Sequence, residues 1–158
     1  MTQPSVSKDV HAGFWIRVWA SLIDTFLAAL ILVPILLSIY GKDYLSSTSL
    51  IAGPADFLLT WVLPAVAVIL FWMYKAATPG KMAAGLRIVD AKSGAPLTTG
   101  QCVGRYLGYY VSLLPLAAGF FWVAFDARKQ GFHDKLAGTV VIRRRAPVVE
   151  VPVFQPPV

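Results

Sequence analysis

Three long apolar stretches, separated by shorter polar segments, dominate the chain of 158 residues. They cover residues 14–40, 57–74 and 106–125, and each is close to the ~20 residues that a helix needs to cross a ~30 Å hydrocarbon core. Backbone groups in lipid must form their hydrogen bonds within the segment itself, as a helix does. Only 14% of the residues are charged, against about 25% in soluble domains. The pattern therefore predicts an all-α polytopic membrane protein.

Lysine and arginine are distributed unevenly between the polar segments. The loop after the first apolar stretch holds only Lys42, whereas the N-terminal flank, residues 75–105 and the C-terminal region hold the others. Cytoplasmic loops are enriched in these two residue types. We therefore expect the N-terminus and residues 75–105 in the cytoplasm, and the first loop outside.

The third apolar stretch conflicts with a simple third crossing, because a full crossing would export the basic C-terminal region. Pro115 and Gly119 lie near its middle, and proline breaks the hydrogen-bond ladder of a helix. We predict two full transmembrane helices plus a Pro-broken third segment that enters the bilayer and returns as a re-entrant or helical hairpin. A kinked but continuous third span, with the C-terminus outside, is the alternative.

The polar segments contain short β-like patterns, which we expect on the cytoplasmic face. The stretch "GLRIVDAKSGAPLT" predicts two short strands around a turn at Ser93-Gly94. Residues 81–89, "KMAAGLRIV", are echoed at 135–142, "KLAGTVVI", and the two runs would either pair as strands or lie along the headgroups, unless the echo is coincidental. Residues 1–13 are predicted to be an N-terminal tail, 14–143 the membrane domain and 144–158 a Pro/Val-rich C-terminal tail.

The composition argues against several classes of function. The net charge of +6 is explained by basic residues beside apolar spans, where they meet anionic lipid headgroups, so we expect no nucleic acid partner. A single cysteine, Cys102, rules out an internal disulfide framework and a multi-cysteine metal site. No nucleophile–base pair or metal-ligand spacing is present, so we expect no enzymatic activity, no cofactor and no metal.

Two charged residues interrupt the first apolar stretch. Arg17 and Asp24 are seven residues apart, so they lie on nearly the same helix face, with Ser21 between them. A charge in mid-bilayer costs roughly 2.5–3.5 kcal/mol even on lenient scales, so this face should contact protein or water. Asp24 is either an ion- or proton-binding carboxylate or a fixed polar anchor between helices. A direct Arg17–Asp24 pair is marginal at about 10 Å between Cα atoms; water or a side chain such as Arg105, Tyr106 or Tyr110 would complete the link.

The segment "RKQGFHDKLAGT" forms a second polar cluster, at residues 128–139. Asp134 would either cap a short helix that begins there or pair with Arg17 at the cytoplasmic mouth of the protein. His133 titrates near neutrality in its free form. It is either a simple interfacial side chain or a member of a proton relay.

The charged positions lie within three segments that carry a family resemblance. "AGFWIRVWASLIDTFL", "TPGKMAAGLRIVDAKSGAPLT" and "RKQGFHDKLAGTVVI" resemble the signature regions of the RDD family of bacterial membrane proteins. The family is named for one arginine and two aspartates, which match Arg17, Asp24 and Asp134 here. The resemblance implies a multi-pass protein of the bacterial inner (plasma) membrane, with a suggested but thinly supported role in transport.

Two functions are consistent with these observations. In the first, the protein exchanges a proton or another small monovalent cation, which Asp24, Arg17 and Asp134 would bind with support from Ser21, His133, Arg105 and Tyr110. Because so small a bundle has little room for a sealed pathway, this hypothesis predicts a homo-oligomer or a partner membrane subunit. In the second, the protein is a non-transporting scaffold or assembly subunit, and its Arg/Asp network is structural.

Overall fold

Two long helices dominate the chain, as the sequence predicted. The computed structural model describes residues 10–114 and 118–143. Helix α1, Phe14–Tyr40, has 27 residues, and a second continuous helix, Pro54–Lys75, has 22. The second comprises α2 (Pro54–Asp56), a π-helical stretch (Phe57–Val62) and α3 (Leu63–Lys75). Both are long and apolar enough to cross a membrane, and only 6% of the most apolar part of each is buried by protein, so their outer faces require lipid.

A compact polar turn joins the two long helices. Helix α1 ends at Gly41, whose N–H donates to Leu37 O at 2.9 Å, and a 3₁₀ helix, Lys42–Ser46, follows. The Asp56 carboxylate accepts hydrogen bonds from Tyr44 Oη and Ala52 N, both at 2.8 Å. These bonds tie the connection between the helices to the start of the second one.

A short helix followed by a strand occurs twice, at the opposite end of the long helices. Helix α4 (Pro79–Ala83) leads into β2 (Leu86–Asp90), and α7 (Phe132–Leu136) leads into β3 (Thr139–Arg143). The helix and strand are joined in each case by a glycine with positive φ, Gly85 (67°) or Gly138 (62°). The two segments with similar sequence therefore have the same local fold.

The strands of these two units pair with each other. Strand β2 runs antiparallel to β3, with Leu86 opposite Arg143 and Asp90 opposite Thr139. Strand β1, Val10–His11, pairs with the other edge of β3, which gives the order β1-β3-β2. Strand β1 lies inside the segment that the sequence predicted to be a tail. The predicted hairpin around Ser93-Gly94 was wrong, because no strand follows that turn among the described residues and the partner of β2 is β3.

The third apolar stretch consists of two helices with different directions. Helix α5, Thr99–Leu113, begins with a capping box formed by Thr98 and Gln101, and α6 covers Ala118–Phe125. The two helices are bent by 101° relative to each other. Pro115, the predicted site of the break, lies outside the described residues, as do residues 1–9 and 144–158 of the two predicted tails.

The buried core lies where the sheet meets the long helices. Trp72, Leu86, Ile88, Cys102 and Val141 are all at most 1% exposed. They come from α3, β2, α5 and β3, so the core joins the sheet to the second long helix and to the third apolar stretch. The charged residues predicted from the sequence are arranged around this core.

Candidate functional site

Asp134 lies between two arginines in the interior of the protein. Its side chain is fully buried, and Arg17 Nη1 donates to its Oδ2 at 2.5 Å. Arg105 Nη1 contacts the other oxygen, Oδ1, and the N–H of Gly131 donates to Oδ2 at 2.9 Å. Asp134 therefore caps its own helix and pairs with Arg17, so the two roles considered from the sequence coexist.

The two arginines connect this carboxylate to distant parts of the chain. Arg17 Nε donates to Ala12 O at 3.0 Å, and its Nη2 donates to Lys129 O at 2.6 Å. Arg105 Nη1 also donates to Thr139 Oγ1 at 2.6 Å. The cluster of Arg17, Arg105 and Asp134, which we call the Arg/Asp network, thus joins α1, α5, α7 and the start of β3.

The charge state of the α7 residues follows from their surroundings. Burial alone would raise the pKa of Asp134, but Arg105 and Arg17 outweigh burial and hold the pKa well below its ordinary value. Burial lowers the pKa of His133 to about 3, and Arg105 acts in the same direction. At neutral pH Asp134 is therefore ionised and His133 is uncharged. His133 Nδ1 lies 3.3 Å from Ser112 Oγ, and its ring packs against that of Tyr109 at 4.5 Å.

Asp24 has different partners from those expected. Thr78 Oγ1 donates to its Oδ2 at 2.5 Å, and Gly80 N donates to its Oδ1 at 2.7 Å. Thr78 precedes α4 and Gly80 lies in its first turn, so the carboxylate binds the N-terminus of this helix, where negative charge is favourable. Within the described residues no ion pair joins Asp24 to Arg17 or to another cation.

Glycine at position 80 is required by this contact. A Cβ atom there would lie 2.0 Å from Ala20 O and 2.9 Å from Asp24 Cγ. Helix α4 can therefore approach the backbone of α1 only because residue 80 has no side chain.

A cavity of about 580 Å³ lies beside the Arg/Asp network, between α1, α3 and α6. The polar residues that line it are Arg17, Ser21, Asp24, Thr25, Thr78, Lys81, Arg105, Tyr109 and His133. The described residues contain no group of three or more His, Cys, Asp or Glu side chains able to hold a metal ion.

The arginine and the two aspartates of the sequence motif thus occupy one region of the molecule, around this cavity. The sequence profile of the RDD family matches residues 11–138, which is most of the chain and includes all three. This chain belongs to the RDD family.

Its relatives are bacterial proteins. This RDD protein is 29% identical to the "Uncharacterized membrane protein YteJ" of Bacillus subtilis over 140 residues, which are 85% of this chain and 82% of YteJ. It is 30% identical to "Uncharacterized protein YxaI" of the same organism, over 83% of this chain and 96% of YxaI. Identity to "Uncharacterized protein RP437" of Rickettsia prowazekii is 40% over 48% of this chain, and this alignment spans only 41% of that protein. No solved structure matches the RDD chain significantly.

Two predicted supporting residues have different positions. Ser21 lines the cavity, as a member of the Arg17–Asp24 face should. Tyr110 is 47% exposed, and its hydroxyl lies 3.3 Å from that of Tyr106, so neither tyrosine bridges Arg17 to Asp24. Tyr109, the neighbouring residue of this RDD protein, lines the cavity instead.

The sequence interpretation also missed Thr78, Gly80 and Lys81. Thr78 and Gly80 lie in the "TPG" segment, where a helix N-cap, Pro at the first helical position and Gly are adjacent. That pattern indicates a helix start but does not identify Asp24 as its partner. Lys81 was interpreted as one of the cytoplasmic basic residues, whereas in this RDD protein it is only 6% exposed and lines the cavity.

Proposed function

We propose that this RDD protein is a non-transporting membrane scaffold or assembly subunit, whose Arg/Asp network fixes the sheet and the short helices against the membrane spans. The observation that carries the proposal is that protein groups contact both oxygens of each aspartate. Asp134 has two arginines and a backbone N–H around its oxygens, and Asp24 accepts one hydrogen bond at each oxygen. Carboxylates held in this way are well suited to locking elements together.

The charges around Asp24 also favour a structural role over cation binding. Arg17, Lys81 and Arg105 line the same cavity, and like charges in a region of low dielectric repel an incoming cation strongly. A cation bound to Asp24 would also share its oxygens with the Thr78 and Gly80 donors, and it would weaken those hydrogen bonds to the start of α4.

We further propose that the sheet lies at the cytoplasmic face of the bacterial inner membrane. Strands β1, β2 and β3 precede α1, follow α3 and follow α6 respectively, yet they form one sheet. If α1 and the helix Pro54–Lys75 both cross the membrane, the α5–α6 segment has to return to the side on which it began. The basic residues of both connecting segments would then lie beside anionic lipid headgroups.

Reconstituted vesicles test the functional proposal. Wild-type protein should give no proton flux when Na⁺, K⁺ or Li⁺ is added. Asp24→Asn should lower the thermal stability and the yield of folded protein, because an amide has only one oxygen to accept the bonds that two oxygens now accept. Cation-dependent flux in the wild type that disappears in Asp24→Asn, at matched insertion, would contradict the proposal.

Proton or monovalent-cation exchange is the second candidate, because Asp24 lies on a cavity wall within the α1 span. An intramembrane carboxylate beside a cavity is a common feature of ion pathways. Since one small bundle would provide only part of a pathway, this function also requires a second copy or a partner subunit. A protein that is strictly monomeric in bilayers would therefore count against exchange.

A further inference from the structure

The side chains of three donors, Trp72, Lys81 and Arg105, are largely buried beside the cavity described above. Among the described residues, Trp72 Nε1 and Arg105 Nε have no hydrogen-bond partner, but both atoms are inaccessible from the cavity, as is the unpartnered Asp134 Oδ1 beside Arg105. Lys81 is 6% exposed and forms no ion pair within the same part of the chain. All three residues line the cavity.

Both cationic residues lie close to the ring of Trp72. Lys81 Nζ lies 5.8 Å from the centroid of the Trp72 ring, and Arg105 Cζ lies 5.4 Å from it. These cation–π contacts offset part of the cost of burying two positive charges. They provide no acceptor for the Lys81 ammonium group, and buried donors are normally satisfied.

The charges around the cavity do not balance. Arg17, Lys81 and Arg105 are cations, whereas Asp24 and Asp134 are the two carboxylates that face them. His133 is uncharged at neutral pH. One positive charge therefore remains in excess, and a single negative charge would neutralise it where solvation by water is poor.

The rest of the cavity is apolar, and its edge is on the outer surface of the bundle. Leu22 and Phe121 line it and are 53% and 55% exposed, on helices whose outer faces meet acyl chains. The volume of about 580 Å³ is within the ~300–1,000 Å³ of small-molecule sites. A ligand that entered from the bilayer would place its hydrocarbon part against these side chains.

We propose that the cavity binds an amphiphile with an acidic head, either a carboxylate or a phosphate ester, and an acyl chain. The head pairs with the Lys81 ammonium group, and the acyl chain lies along Leu22 and Phe121. This site is independent of the scaffold proposal, because Lys81 is not a member of the Arg/Asp network.

Native mass spectrometry of the full-length protein in mild detergent tests the site, with oleate, phosphatidylglycerol, phosphatidylcholine and inorganic phosphate titrated separately. Oleate, phosphatidylglycerol or both should bind in a 1:1 complex, and the difference between them identifies the head. Lys81→Met should weaken this binding about tenfold or more, as expected for loss of one charged hydrogen bond. Lys81→Arg should retain it.

Lys75→Met is the matched control, because Lys75 is an exposed lysine at the nearby end of α3; its binding should equal that of the wild type. Equal binding by wild type and Lys81→Met would overturn the proposal, as would equal binding of phosphatidylcholine and phosphatidylglycerol. If inorganic phosphate alone displaced the bound amphiphile, the proposed contribution of the acyl chain to binding would be contradicted. Absence of binding by all four probes would overturn the site altogether.

Discussion

Replacement of Asp134 by asparagine tests whether the Arg/Asp network holds the fold together. Asp134→Asn keeps the size of the side chain and removes its charge. Arg17 and Arg105 then remain buried, with 10% and 1% of their side chains exposed, and no carboxylate stands between them. The positive charges of Arg17 and Arg105, which the Asp134 carboxylate had separated, then repel each other across the uncharged asparagine amide.

The size of the effect follows from burial. Removing one partner of a buried ion pair costs about 3–5 kcal/mol, because the remaining charge is uncompensated. In a chain of this size each kcal/mol corresponds to roughly 2–4 °C in melting temperature. We therefore expect a decrease on the order of 10 °C for Asp134→Asn.

The single cysteine provides the assay. Cys102 is fully buried in the core, so a thiol-reactive fluorogenic dye should label it only as the protein unfolds. Asp126→Asn is the control, since Asp126 pairs with Lys135 at 2.5 Å but the lysine side chain is 44% exposed. Exposed pairs contribute about 0–1 kcal/mol, so this control should melt within a few degrees of the wild type.

A melting temperature for Asp134→Asn equal to that of Asp126→Asn would refute the reasoning. The double variant Arg17→Met/Asp134→Asn provides a second check. Removing one of the two unpaired cations should recover part of the lost stability. If the double variant instead loses the sum of the two single effects, then the charges are not coupled through Asp134.

Two further predictions concern the residues around the network. Gly80→Ala should lower the free energy of unfolding by about 1–3 kcal/mol or more, because the new Cβ would overlap Ala20 O. Gly104→Ala is the control. Gly104 has open space around it, so this variant should leave the melting temperature in the same dye-based assay unchanged or slightly raised. Stability should also fall by about 2 kcal/mol between pH 6.5 and pH 5. The pKa of His133 is about 3 in the fold, below the free value of 6.5, so in this window the unfolded chain binds the extra proton; a flat melting profile, or one that His133→Asn leaves unchanged, would contradict this assignment.

The sequence predicted the elements well where one local pattern decides the outcome. Hydropathy alone identified α1 and the second long helix. The echo between residues 81–89 and 135–142 left strand pairing as one of several alternatives, and in the structure β2 does pair with β3. From the sequence, the Arg17–Asp134 pair was one of two alternatives. The contact depends on the pairing of distant strands, which brings α7 close to the start of α1 and which no local pattern specifies.

The remaining contacts depend on how distant segments approach one another. Asp24 binds Gly80, 56 residues further along the chain, and no spacing rule connects two such positions. Tyr109 and Tyr110 are neighbours on α5. Because successive residues of a helix are rotated by about 100°, Tyr109 lines the cavity while Tyr110 is exposed. Lys81 has the sequence context of an interfacial lysine. Lys81 is buried because α4 packs closely against α1, and Gly80 permits this close packing.

The three-stranded sheet makes the topology of the third apolar segment testable. Because β3 is paired on both sides, the chain after α6 should lie on the same side of the membrane as the chain before α1. A fluorescent protein fused to the C-terminus should be bright. Alkaline phosphatase at the same position should be inactive, since its disulfides form only outside the cytoplasm. Ser49, in the exposed connection between the two long helices, marks the other side of the membrane. Ser49→Cys should react with a membrane-impermeant thiol reagent in intact cells, while the buried Cys102 does not. An active phosphatase fusion together with a reactive Ser49→Cys would mean that α5 and α6 together cross the bilayer, and β3 could then not pair with β1 and β2.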